Sequence, residues 1–221
     1  MSSSSTPYGL IPVQKIGFQA FTGAFREFPV KANNAAAIFN GDLVVLSTAG
    51  LPSAVSTTPT AIKIPATAAN ATAGIMGVCV GSRFIDANSS QLTFRNFLPA
   101  GQITAGASEV FVRVHDDPDT IFRIKGTHAL GTFNSGTDGS GFAGAVGMNA
   151  ALNFDTSGST STGLSGVALE VGTNGGSLAA TTTLACRIIE VVPGTESDTY
   201  PEFFVKLNVG VHSYQNPLGL A

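Results

Sequence analysis

Apolar and polar residues alternate most cleanly between Glu109 and Val114. Val110, Val112 and Val114 fall on one face, with Glu109, Phe111 and Arg113 on the other. A two-residue period of this kind describes a strand with one buried side. The pattern returns near the end of the chain. There Phe203, Val205, Leu207, Val209 and Val211 share one face, opposite Glu202, Phe204, Lys206 and Asn208. Shorter apolar runs at Leu43 to Leu46, Val167 to Val171 and Leu184 to Val192 read as further strands, the first introduced by an Asn40-Gly41-Asp42 turn. Met76 to Val80 continues through Gly81 into Arg83-Phe84-Ile85, and Asp86-Ala87-Asn88-Ser89 then turns the chain into Leu92 to Phe97, which predicts a hairpin. Thr120 to Lys125 is expected as the return strand after Val114, Ile62 to Ile64 as a short strand, and Ala145 to Leu152 as a short helix. About eight to ten strands of this length predict a mainly β fold, an antiparallel β-sandwich or barrel.

Composition supports that reading. Of 221 residues 26 are Gly and 11 are Pro, which disfavour helix interiors, and Phe contributes 15 of the aromatic residues while Trp is absent. The Gly/Ser/Thr-rich stretches, 47–74 and 126–163, are expected as long loops; a loop as long as the second is uncommon unless it has a task. The domain reading is an extended N-terminal arm over 1–30 followed by a β domain over 31–221, with 126–163 as the place where two subdomains would divide. Charge is scarce: 11 basic and 14 acidic side chains are 11% of the chain, against about 25% in an ordinary soluble domain. A monomer of this mass exposes roughly 9,500 Å², or about one charge per 400 Å². Such a surface is either dressed in small neutral residues or covered by other protein.

The scarcity does not come from a membrane segment. The best uncharged window, Ile64 to Ser82, is interrupted by Pro65, Asn70 and several Ser and Thr. The first residues, Met1-Ser2-Ser3-Ser4-Ser5-Thr6-Pro7, have neither a basic nor an apolar signal region, so synthesis in the cytoplasm is expected. A net charge of −3 with no basic cluster argues against direct nucleic-acid binding.

Candidate chemistry is thin. Cys79 and Cys186 lie in apolar strand-like runs and read as small buried hydrophobes, without the CxxC spacing of a metal or redox site. The three carboxylates of Asp116-Asp117-Pro118-Asp119 could ligate Ca²⁺. The stretch lacks the DxDxDG spacing and a downstream bidentate Glu, and it is also what a turn between strands uses, which is the favoured reading. His115, His128 and His212 are far apart, no serine sits in a Gly-x-Ser-x-Gly elbow, and there is no phosphate-binding glycine loop. No catalytic residue, cofactor or metal is therefore expected. The basic residues stand singly, and in an assembly some would pair across subunit boundaries, where Arg is favoured. In the Pro-interrupted segment from Tyr8 to Val30, Phe18, Phe21, Phe25 and Phe28 recur at three- and four-residue steps; Gly17, Gly23 and Pro29 argue for an extended conformation over a helix. Those four Phe are either core or contact surface, and with Tyr8 they are the candidate contact residues.

Several fragments, in order, carry a resemblance. They are Pro7-Tyr8-Gly9-Leu10-Ile11-Pro12-Val13, Ile38-Phe39-Asn40-Gly41-Asp42, Gly77-Val78-Cys79-Val80-Gly81 with Phe84-Ile85-Asp86, and Phe97-Leu98-Pro99-Ala100-Gly101. Asp116-Asp117-Pro118-Asp119 with Phe122 follows, then Gly163-Leu164-Ser165-Gly166-Val167, and Val205-Lys206-Leu207-Asn208 with His212. In these the chain resembles the head decoration, or capsid cement, proteins of tailed bacteriophages. It departs from them at Leu98, where they carry an aromatic, and at 193–200, which lacks their Pro-Asp-Asn text. The resemblance implies a non-enzymatic virion protein on the outer surface of the capsid. Its partners would be the phage major capsid protein and itself, as a homo-oligomer expected to be a trimer. The runner-up is another virion β protein, associated with a tail or fibre or binding a host surface or carbohydrate. Deleting 1–28 is expected to abolish capsid binding while leaving the β structure.

Overall fold

The computed structural model describes residues 5–17, 19–31, 34–47, 60–63, 75–130, 142–173 and 177–215. In chain order its strands are β1 (Ile11–Lys15), β2 (Gln19–Ala20), β3 (Arg26–Pro29), β4 (Leu43–Ser47), β5 (Thr60–Lys63), β6 (Ile75–Ile85) and β7 (Leu92–Arg95). They continue with β8 (Ser108–His115), β9 (Thr120–Lys125), β10 (Asn149–Asn153), β11 (Ala168–Glu170), β12 (Cys186–Val191) and β13 (Glu202–Leu207). One helical turn, α1 (Phe142–Ala145), precedes β10. The strands form two sheets, one ordered β11-β10-β12-β13-β9-β1-β2 and the other β3-β8-β6-β4-β5, with β7 also on β6. All pairings between them are antiparallel, as the alternation patterns and turn-rich connections predict.

The β6–β7 hairpin forms where it was expected, with Ile85 opposite Leu92 and Ser82 opposite Arg95. Its turn is closed by Asp86, whose Oδ1 accepts from the amides of Asn88 and Ser89 at 3.0 Å each. β6 is long enough to carry two partners on one side, β4 against its first residues and β7 against its last.

Three expectations are corrected. β9 does not return beside β8: β8 pairs with β6 and β3, whereas β9 pairs with β13 and β1 in the other sheet. The Asp116–Asp119 stretch is a turn, with the Asp119 amide donating to Asp117 Oδ1 at 2.9 Å, but it carries the chain from sheet to sheet. The helix expected over 145–152 is only the turn of α1, which ends at Ala145; Asn149-Ala150-Ala151-Leu152-Asn153 is strand β10, paired with β11 and β12. The last strand stops at Leu207, because the chain turns at Asn208, whose carbonyl accepts from the Val211 amide at 2.9 Å. Val209 is then left 58% exposed while Val211 is buried. Of the 126–163 stretch, residues 131–141 lie outside the described residues. On either side of it β9, β10, β12 and β13 join a single sheet.

The N-terminal segment is extended, and it lies along this chain's own sheets: β1 and β2 form one edge of the seven-stranded sheet and β3 an edge of the six-stranded one. It thereby ties the two together. The core is likewise double. One cluster fills the seven-stranded sheet with Phe122, Ile124, Leu152, Leu169, Ile188, Phe203 and Val205, joined by Leu43, Ile75 and Val78 from β4 and β6. The other covers the opposite face of the six-stranded sheet, where Phe28, Val44, Met76, Cys79, Phe84, Val112 and Val114 pack beneath Ile38, Leu98 and Ile103. Burying a side chain of this size stabilises by about 1.5–3 kcal/mol.

The two sheets meet at a joint made from turn residues. Leu10 donates its amide to Gly41 O (3.1 Å), Gly9 to Val167 O (3.2 Å), Gly41 to Cys79 O (2.8 Å) and Ser165 to Asn40 O (2.8 Å). Inside the joint the Asp42 carboxylate accepts from Ser165 Oγ at 2.6 Å and from the Phe39 amide at 2.8 Å.

Candidate interaction face

The face of β8 that carries Glu109, Phe111, Arg113 and His115 is in two environments. At the His115 end it meets the seven-stranded sheet: His115 pairs across with Val78, which belongs to that sheet's core cluster. Beyond that overlap the same face is open. Register places Pro29, Phe111, Arg83 and Phe94 in one row across β3, β8, β6 and β7, and Glu27, Arg113 and Gly81 in the next. Gly81 has no side chain to raise, and the Arg113 stem passes over it, its Cδ about 3.9 Å from where a Cβ would stand.

Charge and aromatic groups interlock on this face. Glu27 binds both guanidiniums, to Arg83 Nε at 2.6 Å and to Arg113 Nε at 3.3 Å, and Glu109 lies 3.5 Å from Arg83. Partial burial raises the Glu27 pKa, but hydrogen bonds and charge from the two guanidiniums outweigh it and hold the carboxyl below its usual range. Arg83 lies over the Phe111 ring, 4.2 Å from its centroid. Arg113 lies between Phe25 and Phe94, at 4.9 and 4.7 Å. Two arginines and two glutamates make a patch of zero net formal charge, whose outer rim, Phe25, Leu92 and Phe94, is 45, 52 and 56% exposed. Glu109 also holds a left-handed backbone, φ 49°, at the bulge where β8 enters this row. An arginine–aromatic surface with satisfied charges and exposed rings suits contact with another protein surface, because arginine and aromatic residues are enriched there.

The sequence candidates are dispersed around this face. Phe25 belongs to it. Phe28 is its opposite, 3% exposed in the core beneath the sheet. Phe21 is half-buried, edge-on to the His115 ring with centroids 4.7 Å apart. Tyr8 lies at the sheet joint; burial, with the Glu202 carboxylate next in effect, pushes its hydroxyl far above the ordinary tyrosine value. Phe18 lies outside the described residues. Reasoning from aromatic spacing missed Arg83, Phe94, Phe111 and Arg113. Only Phe111 and Arg113 left a trace in the sequence, on the polar side of the β8 alternation, where a Phe stands between Glu109 and Arg113.

The acidic stretch and His115 are accounted for by the fold. Asp117 pairs with Lys15, Asp116 with Arg26 and with the Tyr214 hydroxyl (both 2.9 Å), and Asp119 with Lys206 at 2.9 Å. Each carboxylate thus fastens a different strand or segment. Burial raises the Asp117 pKa; Lys15 and the Asp119 amide more than reverse it. Among the described residues no group of three His, Cys, Asp or Glu side chains is placed to hold a metal ion. His115 is buried between the Ala24 carbonyl (2.7 Å) and the Thr120 hydroxyl (2.5 Å). Cys79 and Cys186 are buried, free and in different clusters, and burial pushes both thiols up to about 12. No described helix is long and apolar enough to cross a membrane. Comparison with protein-family models, with curated proteins and with solved structures finds no match to this chain.

Proposed function

We propose that this protein is a decoration subunit of a tailed-phage head, a non-enzymatic clamp that lies on the outer capsid surface and bridges neighbouring major capsid subunits as a homo-oligomer. The observation that carries the reading is the open arginine–aromatic face of the six-stranded sheet, with its charges already paired and its rings exposed. Such a face associates without leaving an unpaired buried charge, because Glu27 and Glu109 neutralise the guanidiniums before any partner arrives. It also fits the scarcity of charge: the surface offered to a neighbour is neutral. The family resemblance supplies the identity of the partner, and this part of the reading rests on the resemblance alone. A clamp of this kind binds the assembled lattice and not its dissociated parts, so it shifts the equilibrium towards the shell. Many copies act together without any one contact being strong.

The test adds purified protein to expanded, undecorated heads and measures bound copies and the temperature of head disruption. Saturable, near-stoichiometric binding and a raised disruption temperature are expected, both lost on changing Phe25 and Phe94 together to Ala. Sedimentation with tails alone, or decoration unaffected by that double change, overturns the reading.

A further inference from the structure

The outer side of the seven-stranded sheet holds a groove of about 340 Å³ between β12, β13 and the turns beside them. Its floor crosses three strands in register, with Asn149 opposite Arg187 and Arg187 opposite Lys206. Asn149 is 1% exposed and is oriented by donating its Nδ2 to Thr181 O at 2.9 Å. Its Oδ1 in turn accepts from Arg187 Nε at 3.1 Å. That bond uses only Nε of the guanidinium, so its two terminal nitrogens are not taken up by Asn149, and Arg187 is part of the groove lining. Arg187 meets no carboxylate among the described residues. Lys206, its neighbour, is already engaged by Asp119 at 2.9 Å. Around this cation the walls are aliphatic: Ile16, Ile189 and Val209 line the groove and are 46, 37 and 58% exposed.

We propose that this groove binds a peptide segment in which an Asp or Glu is flanked by aliphatic side chains, the carboxylate taking the free edge of Arg187 and the flanking residues lying on Ile16, Ile189 and Val209. Charge complementarity selects the acid, since a guanidinium tethered at Nε that meets no carboxylate among the described residues, beside exposed aliphatic side chains, is matched by a carboxylate. Thr182, also in the lining, adds a hydroxyl that can bond a peptide backbone and that a fatty acid would leave unused; the neighbouring Asn208 already donates its Nδ2 to Leu184 O at 2.6 Å. The site lies on the other sheet from the arginine–aromatic face and does not depend on the capsid reading.

The probe is the blocked peptide acetyl-Gly-Val-Glu-Val-Gly-amide, titrated into the full chain and followed by the NMR signals of Arg187 Nε–H and of the Ile189 and Val209 methyls. Saturable shifts confined to the groove are expected below about 10 mM, with the Gln analogue of the peptide about tenfold weaker. Arg187→Gln should bind both peptides equally weakly. Val209→Ser, at an exposed position, should weaken both by a similar factor while keeping the preference for the acid. Three results overturn the proposal: no shift up to about 10 mM, equal binding of the acid and amide peptides by the unchanged protein, or octanoate binding as tightly as the peptide.

Discussion

Gly9 and Gly41 face one another across the sheet joint, and each holds a left-handed backbone, φ 80° and 91°. A Cβ on Gly41 would stand 2.9 Å from Tyr8 O, and one on Gly9 would stand 2.6 Å from Ser165 Cβ and 2.8 Å from Gly41 O. Strain and collision therefore act together. Gly41→Ala is expected to lower stability by about 2–4 kcal/mol in urea unfolding, with circular dichroism of the surviving folded state unchanged. A second single-residue effect concerns pH. His212 is 1% exposed, and burial lowers its pKa from 6.5, with Asp116 and Asp117 opposing and Lys206 adding to the shift. The folded protein then binds fewer protons than the unfolded chain once pH falls below the ordinary histidine value. Stability from this group is full above about 6.5 and is lost as pH falls through the folded pKa. The slope between pH 7 and 5 should be flatter in His212→Gln, measured as unfolding free energy against pH; an identical slope would remove His212 as its source.

At the level of elements, β3 shows how one short strand serves two surfaces. Phe28 points into the cluster under the sheet, whereas Glu27 points to the open side, where Phe25 just before the strand also lies. Period-two geometry makes this division unavoidable. Phe28→Ala should cost about 3–5 kcal/mol, as removal of a buried ring does. Phe25→Ala should cost under about 1 kcal/mol, since its ring is 45% exposed, yet weaken decoration of heads. The contrast between unfolding curves and head binding separates the two roles. β8 divides in the same manner, with Val112 and Val114 inward and Phe111 and Arg113 outward. The stretch expected as a helix over 145–152 carries Ala150, Ala151 and Leu152, which are at home in a helix, and only the pairing with β11 and β12 makes Asn149 to Asn153 a strand.

For the whole molecule, the N-terminal segment is the decisive element. It supplies edge strands to both sheets and the buried side chains Leu10 and Phe28, so it is structural as well as exposed. Deleting residues 1–28 is therefore expected to destroy cooperative thermal unfolding and most of the β signal, in place of the folded, non-binding protein expected from the sequence. A truncated chain that keeps a sharp transition would show that the segment is only laid on the surface. Several of the fragments that carry the family resemblance also gain a location. Tyr8-Gly9-Leu10, Asn40-Gly41-Asp42, Cys79 and Gly163 to Val167 converge on the joint between the sheets. They speak to how the chain is folded; the proposed contact face, with Arg83, Phe94, Phe111 and Arg113, lies elsewhere.

The mainly β class, the antiparallel arrangement, the β6–β7 hairpin and the inward faces of β8 and β13 were legible in the sequence. Each follows from local rules: two-residue alternation, turn residues at fixed offsets, and the penalty of glycine and proline in helices. The fate of β9 was not legible, because the turn at Asp116–Asp119 is equally compatible with a hairpin and with a passage between sheets. Nor was the face on which Arg83, Phe94, Phe111 and Arg113 meet. These four come from three strands, spread over 31 positions, and only strand register sets them side by side. Alternation says which residues share a face of one strand. Which face stays open depends on how far the second sheet reaches over the first, a property of long-range packing that no local pattern contains.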